Sequence, residues 1–137
     1  MRIEVSRDVF RLAQVFTISR GSRTEAQVLT VRITDGGVTG WGECVPYARY
    51  GETLESVTAE IEALSGPLTR DALYDLLPAG AARNAVDCAL WDLQAKQAGK
   101  PVWELAGLAR PRPEITAFTL SLDCLLYTSD AADDRVS

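Results

Sequence analysis

Residues 78–100, PAGAARNAVDCALWDLQAKQAGK, constrain the fold more than any other stretch. Ala82, Ala85, Val86, Ala89, Leu90 and Leu93 recur every three or four residues, the repeat of one helix face. The spacing predicts a helix over about 81–98, stopped upstream by Pro78-Ala79-Gly80 and downstream by Gly99 and Pro101. Three alanines on one stripe have little bulk to hold a neighbour away, so another element must pack close. Asp87 and Asp92 sit on the same helix, with Arg83 one turn before Asp87. Being five residues apart, the two carboxylates point to different faces. They are expected to be structural: an i,i+4 Arg83–Asp87 ion pair and buried polar anchors on a core helix.

The chain before this helix reads as strands. Ile3, Val5 and Val9 alternate with Arg2, Glu4 and Arg7, which predicts a strand over 2–12 bent near Ser6–Asp8. In 26–34, AQVLTVRIT, Val28, Thr30 and Arg32 oppose Leu29, Val31 and Ile33. Asp35-Gly36-Gly37 then predicts a hairpin turn. VTGWGECVP reads as a third strand, where Gly40 and Gly42 around Trp41 mark a close backbone approach or a bulge. The result is a three-stranded antiparallel meander with loops at 14–25 and 45–53.

Two helices precede the long one. Thr53 caps a helix over about 54–64 with Leu54, Val57, Ile61 and Leu64 on one face, ended by Ser65-Gly66-Pro67. Thr69 caps the next, which carries Leu73, Leu76 and Leu77. After the long helix, Pro101 opens a short one through Leu108. Pro111 and Pro113 bracket a linker, and ITAFTLSL (115–122) reads as a fresh strand. The fold class is α+β: a meander, then a helical bundle, then the first element of something else.

Composition narrows the chemistry. The 137 residues are 47% hydrophobic and 24% charged, as in a soluble globular chain with one core. The net charge of −5 gives no basic face for nucleic acid. There is no apolar run long enough for a membrane span and no signal-like start, so the expectation is a cytoplasmic protein without nucleic-acid or membrane partners. Cys44, Cys88 and Cys124 are widely spaced and read as incidental thiols. The chain has no histidine, which excludes Ser–His and Cys–His nucleophiles and histidine metal sites within it.

Two stretches could meet a ligand. FTISRGSRTE (16–25) sets two arginines around Gly-Ser; it is either a solvated surface loop or an anion clamp in which Arg20 or Arg23 offers a guanidinium fork to a carboxylate. ECVPYARYGET (43–53) is either an ordinary strand-to-helix crossover or a lid in which Tyr47 and Tyr50 shape a pocket and Gly51 serves as hinge.

Taken together, FTISRGSRTEA, GWGECVPYARYGE, LPAGAARNAVDCALWDL and ITAFTLSLD resemble the N-terminal capping domain of the enolase superfamily. More narrowly, RGSR, PYxRYGE and LPAGAARNA resemble the alanine–glutamate type of dipeptide epimerase in the muconate-lactonizing subgroup. The resemblance covers residues 1–123. It implies a lid over a modified TIM barrel, in a homo-oligomeric enzyme that inverts the α-carbon of a dipeptide such as L-Ala-D/L-Glu. It also implies that Mg²⁺ and catalytic lysines lie on the barrel, where the metal stabilises charge on the substrate carboxylate and lysines on opposite faces exchange the α-proton. This chain's only lysines, Lys96 and Lys100, stand four apart at a helix end and do not match that Lys-x-Lys strand pattern. Catalytic residues and metal ligands are therefore expected outside the chain, and the chain alone is expected to be inactive. By resemblance, Arg23 reaches the glutamyl side-chain carboxylate, with Arg20 the alternative if the loop register differs. Thr119 matches a hydroxyl residue on the first barrel strand, and Tyr47, Tyr50 and Gly51 belong to the second capping loop. Lids of muconate cycloisomerase or o-succinylbenzoate synthase are the near alternatives; a free-standing, non-catalytic binding module is the alternative of another class.

The expected organisation is a capping domain over 1–110, a linker with the first barrel strand over 111–123, and a foreign tail. CLLYTSDAADDRVS (124–137) continues neither the strand nor a barrel helix. Its first ten residues resemble the translation of a transposase-based sequencing-library adaptor.

Overall fold

The computed structural model describes residues 1–18 and 21–117. Three strands come first: β1 (Arg2–Ile18), β2 (Gly21–Asp35) and β3 (Val38–Cys44). A 3₁₀ turn at Ala48–Tyr50 leads to α1 (Leu54–Glu62), α2 (Arg70–Leu76), α3 (Ala81–Ala98) and α4 (Val102–Leu105). The sheet order is β1-β2-β3, and β2 pairs antiparallel with β3 from Leu29↔Cys44 to Asp35↔Val38.

Of the expected loop at 14–25, residues 14–18 are instead the end of β1 and 21–25 the start of β2. The polar composition of the stretch suggested a loop. Strand pairing, however, satisfies backbone N–H and C=O groups whatever the side chains are. The side chains adapt to the pairing: the Thr17 and Ser22 hydroxyls meet at 2.9 Å.

Contacts divide the chain into two compact units. The first holds Met1–Asp8 and Gln27–Pro111; the second holds Val9–Ala26 and, among the described residues, 112–117. The core belongs to the first. Leu29, Val31 and Ile33 on β2 are at most 1% exposed, and with them are buried Val57 and Ile61 of α1, Leu73 of α2 and the Ala82–Leu93 stripe of α3. Both predicted caps form. Thr53 and Ser56 make a reciprocal capping box at α1, and the Thr69 hydroxyl accepts from Ala72 N at α2. Arg7 of β1 pairs with Glu55 of α1, which holds that carboxyl below its ordinary range.

α3 is the predicted helix to the residue, and the element packed against its alanine stripe is β3. Gly40 and Gly42 make that approach possible. A Cβ at 42 would overlap the Ala85 carbonyl oxygen, and one at 40 would overlap that of Ala89. α4 ends earlier than the expected Leu108, because the Leu108 N–H turns back to the Trp103 carbonyl (2.8 Å) and closes the helix. Residues 111–117 have no regular secondary structure, and the rest of the expected 115–122 strand lies outside the described residues. Among the described residues no helix is long and apolar enough to cross a membrane.

Candidate functional site

Two hydrogen-bonded stitches fasten the β3–α3 seam. Asp92 Oδ2 accepts the Trp41 N–H at 2.8 Å and the Lys96 ammonium at 2.6 Å; Lys96 Nζ also donates to the Thr39 carbonyl at 3.0 Å. Asp92 is a polar anchor, its partner being the backbone of GWGE, but it is half-buried where a buried anchor was expected. The other expectation for this helix fails: no Arg83–Asp87 ion pair forms. Arg83 instead lies over the Tyr74 ring, 4.9 Å from its centroid, and its Nη1 lies 3.5 Å from the Leu77 carbonyl. Asp87 Oδ1 is left buried with no hydrogen-bond partner. The helical spacing allowed the pair, but the stacking partner from α2 was not visible in a local pattern.

The segment after β3 is shaped by short-range bonds. Tyr50 N donates to the Tyr47 carbonyl (2.9 Å) and Gly51 N to the Ala48 carbonyl (3.0 Å), making one 3₁₀ turn. Gly51 ends it at φ 75°, a left-handed conformation that favours glycine. The Tyr47 and Tyr50 ring centroids stand 5.7 Å apart; Tyr47 is half-buried and Tyr50 is 76% exposed. Glu52 was not singled out from the sequence. Its Oε2 accepts from Tyr47 N at 2.9 Å and its Oε1 from Ala81 N at 2.7 Å. The available signal was indirect: α3 begins after Pro-Ala-Gly, so its N-terminus has no capping side chain of its own and needs an acceptor from elsewhere.

The predicted site residues therefore fall in separate places. Tyr47, Tyr50 and Gly51 share the turn after β3 in the first unit. Arg23 stands exposed on β2 in the second unit. Arg20 and Thr119 lie outside the described residues. Cys44 is buried at the end of β3, and burial, then the Glu52 and Glu43 carboxylates, push its thiol up to about 11. Among the described residues no three His, Cys, Asp or Glu side chains converge to hold a metal. A Mg²⁺ site does not fit them.

Residues 2–107 match the model of the mandelate racemase/muconate lactonizing enzyme N-terminal domain. The chain is 46% identical over 122 residues to the L-Ala-D/L-Glu epimerase of Escherichia coli K12, covering 86% of this chain and 38% of that protein. It is 45% identical over 102 residues to an N-acetyl-D-glutamate racemase from a Pseudoalteromonas species, covering 70% of this chain and 32% of the relative. Among solved structures it superposes on an Agrobacterium tumefaciens enolase family member with homology to dipeptide epimerases, bound to sodium and L-Ala-L-Glu. The TM-score is 0.84 at 47% identity, over 96% of this chain and 42% of that one. A Methylococcus capsulatus dipeptide epimerase with Mg and L-Arg-D-Lys superposes with TM-score 0.78 at 31% identity, over 97% and 41% of the two chains. This chain thus spans about two-fifths or less of the length of these relatives. It belongs to the mandelate racemase/muconate lactonizing enzyme N-terminal domain family.

Proposed function

We propose that residues 1–110 are the substrate-capping domain of an epimerase acting on the α-carbon of L-Ala-D/L-Glu or a closely similar dipeptide. The observation that carries this reading is the 46% identity to the E. coli epimerase of that substrate, over 122 residues. The chemistry of the exposed Arg23 agrees with it, since a guanidinium fork suits a glutamyl carboxylate. In this reading Arg20 substitutes if the strand register shifts, Thr119 borders the substrate, and the Tyr47–Gly51 turn forms the second wall of the lid. Mg²⁺ and the proton-transferring lysines belong to the barrel, with residues 111–123 leading into it and 124–137 foreign to it. Solved relatives carry Mg, which supports the metal assignment. The same reading makes the whole enzyme a cytoplasmic homo-oligomer.

A second reading is racemisation of an N-acylated glutamate, favoured by the 45% identity to the Pseudoalteromonas racemase. The two substrates share the glutamyl side chain and differ in the group on nitrogen.

Turnover tests both. The purified 137-residue chain, incubated with Mg²⁺ in D₂O, should exchange no α-proton of L-Ala-L-Glu or N-acetylglutamate by ¹H NMR. Exchange by the chain would overturn the assignment of catalysis to a barrel. The gene read past Asp123 should encode that barrel and epimerise L-Ala-L-Glu. If the extended enzyme prefers N-acetylglutamate, the second reading replaces the first.

A further inference from the structure

We infer that Glu52 is a positioning residue that presets the capping turn by clamping it to the N-terminus of α3. The inference rests on the reading of the 45–53 segment as a substrate-side lid.

The clamp follows from three observations. First, the first N–H groups of any helix lack partners inside it, and the capping position before α3 is Gly80, which has no side chain to offer. The carboxylate of Glu52 fills that role, Oε1 accepting from Ala81 N at 2.7 Å. A carboxylate there also suits the positive end of the helix dipole. Second, the other oxygen is committed to the turn: Oε2 accepts from Tyr47 N at 2.9 Å. Tyr47 is the residue whose carbonyl receives Tyr50 N, so fixing the Tyr47 peptide fixes the start of the turn that carries Tyr50. Third, Gly80 leaves free the space that the carboxylate occupies: a Cβ at 80 would lie 2.9 Å from Glu52 Oε1, so the carboxylate would have to shift to admit one. A single side chain therefore joins Tyr47, which opens the turn carrying the exposed Tyr50, to the first residue of α3. Such a link keeps the lid in one shape before substrate arrives, which lowers the ordering cost of binding.

The test is amide exchange on the ¹⁵N-labelled 137-residue chain. Glu52→Ala should speed exchange at both Tyr47 and Ala81 by about tenfold or more, the scale of one charge-assisted hydrogen bond. The Trp41 amide, held by Asp92, should stay unchanged and reports on the seam. Glu52→Gln has one acceptor oxygen, so one of the two amides should speed up and the other should keep its rate. Gly80→Ala leaves Glu52 in place but displaces its oxygen, and should speed Ala81. Should Glu52→Ala fail to fold, the Gln and Gly80 variants carry the same test. An unchanged Tyr47 rate in Glu52→Ala, or equal acceleration at Trp41, overturns the clamp. Exchange is read without substrate, so that result leaves the epimerase reading untouched; the epimerase reading stands or falls on the turnover assay alone.

Discussion

The two ends of β2 are one continuous strand under opposite rules. From Leu29 to Ile33 alternate side chains vanish into the core, and the facing strand carries glycines where α3 touches it. From Gly21 to Glu25 every residue is exposed. At the buried end, volume decides which residue fits; a methyl group too many meets a backbone carbonyl. At the exposed end, volume decides nothing, and in the proposed reading Arg23 is held to its identity by the carboxylate it would bind. On that reading one element holds both scaffold and reader, and substitutions can test the division in descending order of effect.

Gly42→Ala should be the most damaging change. Its Cβ is directed at the Ala85 carbonyl, which cannot move without shifting α3, so a loss of about 3 kcal/mol or more is expected in urea unfolding. An unaltered midpoint would mean the seam is not close-packed.

Cys44 gives a pH-dependent reading of the same buried end. Its thiol is raised from 9.0 to about 11, so the unfolded chain releases the proton first as pH rises. The stabilising contribution is whole below pH 9 and is lost as pH climbs towards 11, by up to about 2–3 kcal/mol. Cys44→Ala should flatten that part of the stability curve; an identical alkaline slope in wild type and variant would refute the assignment.

Asp92→Ala removes the acceptor shared by Trp41 N and Lys96, and a cost of about 1–2 kcal/mol is expected by thermal melting. At the exposed end, Arg23→Ala should leave unfolding within about 0.5 kcal/mol of wild type. In the extended enzyme the same change should lower kcat/KM for L-Ala-L-Glu at least about tenfold more than for L-Ala-L-Ala, reflecting one lost ion pair. Equal losses on the two dipeptides would sharpen the comparison against us: Arg23 would then be part of the scaffold.

How far the sequence could be read depended on the range of the forces involved. α3 was legible to its last residue because a helix repeats its buried face every turn and is stopped by local chemistry at Gly99 and Pro101. Thr53 and Thr69 were legible as caps because the hydroxyl bonds an amide three residues on. The strand ends at 14–18 and 21–25 were missed because strand pairing makes no demand on side-chain polarity. Glu52 was missed because Ala81, one of its two partners, is 29 residues away. Arg83 was assigned the wrong partner for the same reason: Asp87 is one turn away in sequence, but Tyr74 of α2 takes the guanidinium in space.

The sequence by itself determined the order of strands and helices, their caps, the stripe of small residues and the family to which they belong. All of these rest on interactions between near neighbours or on a repeated face. Tertiary structure alone decided that α3 lies on the GWGE strand, that Asp92 and Lys96 fasten it there, and that Glu52 ties the tyrosine turn to the α3 N-terminus. Those pairings cost loop entropy to close and are repaid only when the core is assembled, so no local pattern announces them.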